Sequence, residues 1–339
     1  MRLKAVFASL FLVALAASAQ PKVDDARFET ATGSLSEVVR QAGRGGQPVW
    51  VSWTVPVIEG HGYSCCLTRD WKPSPCQLET KNQSWGSLSD DPRTDPYLTV
   101  LVRLQDGKVE RIRSVSASCP LNAGGRRFIW LEGVKPEESV RFLADLVKRN
   151  EVDEEGLDAL ALHRNSGALD ALADFATSAR YRPDLREHAL FWLGEARGRE
   201  GYEVVMRVLR DDKDDDIREK ALFALSESPV PEAGEVLVKT ARSDRSPGVR
   251  SQAMFWLSQI DHPQAAATIL EAIAKDADPE VREQGVFALS ELPKGKGVPL
   301  LIKLGRESRD REVRKQALFW LAESDDPEAV KFLEKMLEE

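Results

Sequence analysis

From Leu185 onward apolar positions recur with the period of a helix, and the helices recur with a longer period of their own. The string Leu185-Arg186-Glu187-His188-Ala189-Leu190-Phe191-Trp192-Leu193 returns from Ile217 to Leu225, Val249 to Leu257, Val281 to Leu289 and Val313 to Leu321. Its arginines, Arg186, Arg218, Arg250, Arg282 and Arg314, stand 32 residues apart without one insertion. A period of that length belongs to stacked supersecondary units. Each unit predicts two helices. Asp278-Pro279 supplies a capping carboxylate and a proline whose missing N–H costs nothing in a first turn, and Asp214, Ser246 and Asp310 hold the same place in other units. The first helix runs to a break such as Ser228-Pro229 or Leu292-Pro293. A second amphipathic run follows, as at 263–275, 298–305 and 327–337. Neither helix can bury its apolar stripe alone, so stability comes from stacked neighbours. A degenerate unit around 156–177 precedes them, carrying Leu157, Leu160, Leu169, Leu172 and Phe175.

The pattern Asp-Pro-x-Val-Arg-x-x-Ala/Gly-x-x-Ala-Leu, here Asp278 to Leu289, resembles the HEAT-like repeat of the phycobilisome-lyase type over about residues 180–339. The resemblance implies an α-solenoid. It also implies that the five arginines join acidic residues near the helix starts in a polar ladder between layers, a structural role. Activity is only permitted by it, because similar repeats occur in bilin lyases and in di-iron deoxyhypusine hydroxylases, which leaves a lyase or oxidoreductase as the alternative function. The hydroxylase type needs several His-Glu pairs as iron ligands. Here Glu187-His188 is one pair in reversed order, and His163, His188 and His262 are scattered.

One position departs from the family pattern in every unit. With Val281 at the origin of a helical wheel, Gly285, Val286, Ala288, Leu289 and Leu292 define one apolar arc, while Phe287 falls at about 240°, beside Gln284 and Glu291. Such repeats usually place a polar residue there. Phe191, Phe223, Phe255, Phe287 and Phe319 therefore form a candidate interaction ladder, its rungs expected about 10 Å apart. Glu195, Glu227, Glu291 and Glu323, with Gln259, give it an acidic margin. The competing expectation is that these rings close interlayer packing. Trp192, Trp256 and Trp320 alternate with Ala224 and Ala288 at the edge of the core arc, a period of 64 expected to alternate large and small packing residues.

Residues 20–150 differ in character and predict a small α+β or mostly β module, with the repeat domain spanning 151–339. Alternation over 48–55 puts Val49, Val51, Trp53 and Val55 on one face, and 97–104 does the same with Leu98, Val100, Val102 and Leu104. Asp106-Gly107 is a two-residue hairpin turn into a strand over 108–115. Residues 127–131 read as a strand and 136–148 as an amphipathic helix. Ala123-Gly124-Gly125 before Arg126-Arg127 is either an anion-binding loop or a tight turn.

The first nineteen residues stand apart. Arg2 and Lys4, an apolar run from Ala5 to Ala16, and Ala17-Ser18-Ala19 form a secretory signal pattern with cleavage expected after Ala19. That predicts a periplasmic or secreted protein, and no later apolar run is long enough to span a membrane. In an oxidising compartment Cys65, Cys66, Cys76 and Cys119 are candidates for two disulfides. A bond between adjacent cysteines is strained, so one of Cys65 and Cys66 is expected to pair with Cys76 and the other with Cys119. A zinc site with His61, or thiol chemistry, is the alternative, although the paired C-x-x-C spacing is missing. Asn82-Gln83-Ser84 is a glycosylation sequon.

The net charge of −8 conceals a division: residues 20–150 carry +2 and residues 151–339 carry −12. The acidic balance argues against nucleic acid as a partner. No catalytic, cofactor-binding or metal-ligating set emerges. The expected function is an exported, non-catalytic interaction scaffold or adaptor whose solenoid surface takes a protein or peptide.

Overall fold

The computed structural model describes residues 20–60, 64–68, 74–80, 84–87, 95–152 and 154–338. The signal segment, His61 and Asn82 lie outside the described residues. The chain forms an α-solenoid preceded by an α/β sheet domain. Its two compact units divide between Ser139 and Val140. That point falls inside a helix, eleven residues before the end of the 20–150 module read from the sequence.

Unit 1 is built on a mixed sheet. Strands β1 (Val23–Thr32), β2 (Val49–Pro56), β6 (Tyr97–Gln105), β7 (Lys108–Ser116) and β8 (Leu121–Glu132) lie in the order β1-β8-β2-β6-β7. β8 pairs in parallel with β1 and β2, whereas β2–β6 and β6–β7 are antiparallel. The short β4 (Cys76–Gln77) also joins β8, and β3 (Ser64–Leu67) pairs with β5 (Ser84–Ser87) outside the sheet. Helix α1 (Leu35–Ala42) lies between β1 and β2 in sequence.

The alternating residues Val49, Val51, Trp53 and Val55 are all buried, as their pattern predicts. Trp50 and Ser52 on the opposite face are buried too. Both faces of β2 are therefore covered. On one side Trp53 donates its indole N–H to the Ser139 hydroxyl at 2.8 Å, and the Leu35 amide of α1 donates to the nearby Glu138 carboxylate at 2.7 Å. On the other, Trp50 packs in a cluster with Leu78, Leu101, Val115, Phe128 and the four half-cystines.

Those half-cystines form two bridges. Cys65 joins Cys119 with Cα atoms 5.8 Å apart, and Cys66 joins Cys76 at 5.1 Å. The adjacent pair thus splits, one partner reaching β4 and the other the turn after β7. Each of the four is essentially fully buried, and the pairing fits an oxidising compartment. The Gly124-Gly125 pair is neither an anion loop nor a turn before a strand. It lies within β8, both residues have positive φ (60° and 73°), and the register with β1 shifts opposite them. Glycine supplies the left-handed backbone that this bulge needs.

Unit 2 is wholly helical among its described residues. Helix α2 (Pro136–Lys148) leads into α3 (Glu154–Ala161) and α4 (Ser166–Thr177), the degenerate pair. First helices α5 (Pro183–Ala196), α7 (Asp215–Ser226), α9 (Pro247–Gln259), α11 (Pro279–Ser290) and α13 (Arg311–Ala322) pack side by side in succession. Second helices α6 (Gly198–Asp211), α8 (Ala233–Ser243), α10 (Ala265–Lys275), α12 (Val298–Glu307) and α14 (Pro327–Glu338) alternate with them. Asp214, Asp278 and Asp310 cap α7, α11 and α13 by accepting backbone N–H bonds at 2.9–3.1 Å. Ser246 makes no such cap.

Candidate interaction surface

The recurring arginines fix the repeat spacing. Arg250 pairs with Asp276 at 2.8 Å and Arg218 with Asp244 at 2.8 Å, while Arg186 pairs with Asp212. These aspartates stand 26 residues after their arginines and three before the next first helix, and each also accepts the backbone N–H of that helix's N-cap residue. The same arginines reach backward: Arg250, Arg282 and Arg314 each donate to the carbonyl six residues earlier, at 2.9, 3.0 and 2.6 Å. One guanidinium so joins two successive inter-unit turns. The register breaks at position 308, which is serine, and Arg282 uses Asp310 instead at 3.2 Å. Arg218 is fully buried and also bonds Asp215 at 2.6 Å.

With the layers set, the phenylalanines meet. Phe191 and Phe223 stack with centroids 5.8 Å apart, and Phe255 and Phe287 stack at 6.0 Å and 8°. This is tighter than the rung spacing of about 10 Å expected from helix packing. Between the stacked pairs the tryptophans fill in. Trp256 contacts Phe223 at 4.7 Å and Phe255 at 4.8 Å, and Trp320 contacts Phe287 at 4.9 Å and Phe319 at 5.0 Å. Trp192 begins the series against Phe191 at 5.3 Å. Eight rings thus run without interruption from Trp192 to Phe319, and the 64-residue period is the alternation of a direct Phe–Phe stack with a Trp bridge.

The row is half-buried along most of its length, and Phe319 at its end is 50% exposed. The rings pack between the layers and remain half-exposed. Glu195, Glu227, Glu291 and Glu323 are exposed beside them. Burial, and then the charge of Glu195, raise the Glu227 pKa above its ordinary value.

Sequence reasoning missed a groove on this face. It has a volume of about 610 Å³ between α9 and α11, with Phe255 and Phe287 at one end and Glu219, Glu280 and Glu283 at the other. The signal was present: position 248, which faces the groove, is glycine where the other units have Asp184, Asp216, Glu280 and Glu312.

The histidines stay apart. His163 is buried with Nδ1 2.7 Å from the Ala159 carbonyl oxygen, and burial pushes its pKa down to about 4. His262 faces Glu235 at 3.4 Å. His188 lies 2.9 Å from Asp158, which also accepts the Trp192 indole N–H at 2.7 Å. Burial opposes protonation of His188, but the Asp158 carboxylate outweighs it and raises the pKa. Among the described residues no three His, Cys, Asp or Glu side chains converge as a metal site requires.

In unit 1 the clustered arginines face their own acids. Glu79 accepts from Trp50 at 2.9 Å, Arg103 at 3.0 and 3.1 Å, and Arg126 at 3.1 Å. Burial works against ionisation of Glu79, yet these donors hold its pKa at about 2. Arg127 forks onto Glu29 with two bonds of 2.8 Å, and Arg111 and Arg113 donate to the carbonyls of Leu78 and Thr80 at 2.9 Å. The basic cluster fastens segment 74–80 to the sheet.

The family model described as HEAT repeats matches residues 179–258 and 234–317. Among solved structures, human deoxyhypusine hydroxylase in complex with glycerol is 17% identical, over 56% of this chain and 85% of that one, with a TM-score of 0.27. The CpcE and CpcF complex of phycocyanin lyase from Nostoc sp. PCC7120 is 21% identical, over 46% of this chain and 99% of that one, with a TM-score of 0.34. No curated protein matches the sequence. Among the described residues no helix is long and apolar enough to cross a membrane.

Proposed function

We propose that this is a periplasmic or secreted interaction scaffold, or adaptor, that holds a protein or peptide partner on the aromatic row of its repeats. The observation that carries the reading is the eight-ring series itself: it is continuous over five units, half-exposed, and edged by carboxylates that make no ion pair among the described residues. Repeat proteins supply extended surfaces of this kind. Buried-edge aromatic residues also dominate the energy of protein interfaces. The Arg–Asp bonds join unit to unit, whereas the aromatic row keeps a half-exposed face. The two buried disulfides support the oxidising location.

The test is a triple variant, Phe223→Ser, Phe255→Ser and Phe287→Ser, used beside the native chain as bait on an envelope fraction. Circular dichroism checks that the variant keeps its helices. A partner retained by the native chain and lost by the folded variant supports the reading; equal retention by both contradicts it.

A further inference from the structure

We infer that the groove between α9 and α11 receives a basic segment of a partner protein, with an arginine or lysine stem laid along Phe255 and Phe287 and its cationic head among Glu219, Glu280 and Glu283. This rests on the aromatic row being the interaction surface and adds the chemistry of what it takes.

The groove is differentiated along its length. On α9, positions 248, 252 and 255 follow the i, i+4, i+7 spacing of one helix face, and on α11 positions 280, 284 and 287 do the same. Seven residues of helix cover about 10 Å. Over that distance the lining changes from carboxylates, through the amides of Gln252 and Gln284, to a flat aromatic wall two rings wide. A long basic side chain has the same division, an apolar stem with a charged tip, and its cation is attracted by ring faces as well as by carboxylates. An anionic or wholly apolar ligand matches one end only.

The acidic end is unsatisfied. Glu219, Glu280 and Glu283 engage in no ion pair with any described residue, in a domain where Glu187, Glu232 and Glu271 do. Burial and the charges of Asp216 and Asp215 hold the Glu219 pKa above its ordinary value, so an incoming cation relieves an existing cost. Gly248 makes the room. A Cβ there would stand 2.5 Å from the Glu219 Oε1. Any side chain at 248 displaces the Glu219 carboxylate and fills the groove. The other four units carry an aspartate or glutamate side chain at that position.

The probe is a capped peptide of alternating arginine and leucine, titrated against the full chain, with a glutamate-for-arginine peptide as control. The arginine peptide is expected to bind at least about tenfold more tightly and to weaken in high salt. Gly248→Gln fills the groove without adding charge, and its nearest neighbour is the mobile tip of Glu219, so the fold survives. This variant, and separately Glu219→Gln with Glu280→Gln and Glu283→Gln, are each expected to lower affinity about tenfold. Phe191→Ser with Phe319→Ser, on rungs outside the groove, should stay within about twofold of native. Equal binding of both peptides, or affinity unmoved by the groove variants, overturns the inference. In that case loss of binding in the Phe191/Phe319 variant leaves the aromatic row as the surface without this groove. Partner capture that survives the triple serine variant removes both. Concentration-dependent self-association abolished by Gly248→Gln would assign the groove to a second copy and also overturn it.

Discussion

In unit 1 the strands that touch come from distant parts of the chain. Val23 lies opposite Leu121, and Trp50 opposite Phe128. In unit 2 each helix packs chiefly on its neighbours in the repeat, and the same bonds recur every 32 residues. The fastenings differ accordingly. Unit 1 holds its segments 64–68 and 74–80 with unique devices: two covalent bridges and a single carboxylate, Glu79, that collects three side chains. Unit 2 distributes the task over arginines of identical role. A non-repeating fold concentrates its stability in a few irreplaceable groups, whereas a repeating one spreads it and allows one unit to depart from the pattern. Gly248 and the groove it opens are such a departure.

That contrast breaks most sharply under reduction. Each disulfide in a small domain contributes about 2–5 kcal/mol, so reducing both should unfold unit 1 while the helical signal of unit 2 persists. Two separated thermal transitions, of which only one moves with reductant, are the expected record. Glu79→Ala comes next. It leaves the mostly buried Arg103 with Glu110 and Gln105 alone and removes acceptors of Trp50 and Arg126, and should cost about 3 kcal/mol, measured by denaturant unfolding. The pH dependence has a definite sign. The folded pKa of Glu79 is about 2, below the ordinary 4.5, so its contribution is full above 4.5 and is lost as pH falls toward 2.

Within the repeats, position along the ladder sets the magnitude. Arg218 is fully buried with two carboxylate partners, and Arg218→Ala should cost about 3 kcal/mol. Arg314 at the far end is partly exposed and, among the described residues, bonds the Ser308 carbonyl without a carboxylate partner, so Arg314→Ala should cost about 1 kcal/mol or less. Equal losses at both positions would contradict a ladder whose inner rungs carry more. The smallest effect is expected at His188. Its folded pKa is raised above 6.5 by Asp158, so its stabilisation is complete below 6.5 and fades as pH rises through the folded value. The stability difference between the native chain and His188→Gln should shrink over that window.

The legibility of the two units follows the same line. Five in-register copies made the helices, their caps and the outward phenylalanines readable, because each position was seen five times. In unit 1, β6 and β7 were readable from alternation and from the Asp106-Gly107 turn, but β1 was not. It is an edge strand of mostly exposed polar residues, and its pairing with β8 is set by partners 98 to 100 residues away rather than by its own pattern. β8 was read only from 127, since the Gly124-Gly125 bulge looks locally like a loop. The disulfide partition was readable by excluding the adjacent bond; which half took which partner needed the positions of β3 and β4. On the surface, the phenylalanine row was visible as a sequence regularity. Its tryptophan bridges were not, because the contacts of Trp256 cross from one unit to the one before it. The groove was missed for a different reason, although glycine at 248 signalled it. It arises from a missing side chain, and an absence acquires shape only when neighbouring helices are in place.

The central claim is that the aromatic row is where this molecule meets its partner. Hydrogen exchange of the full chain, with and without a captured partner, tests it directly. The account predicts added protection on α7, α9 and α11, greatest around Phe255 and Phe287. Protection confined to unit 1 or to the second helices α8, α10 and α12 would contradict it.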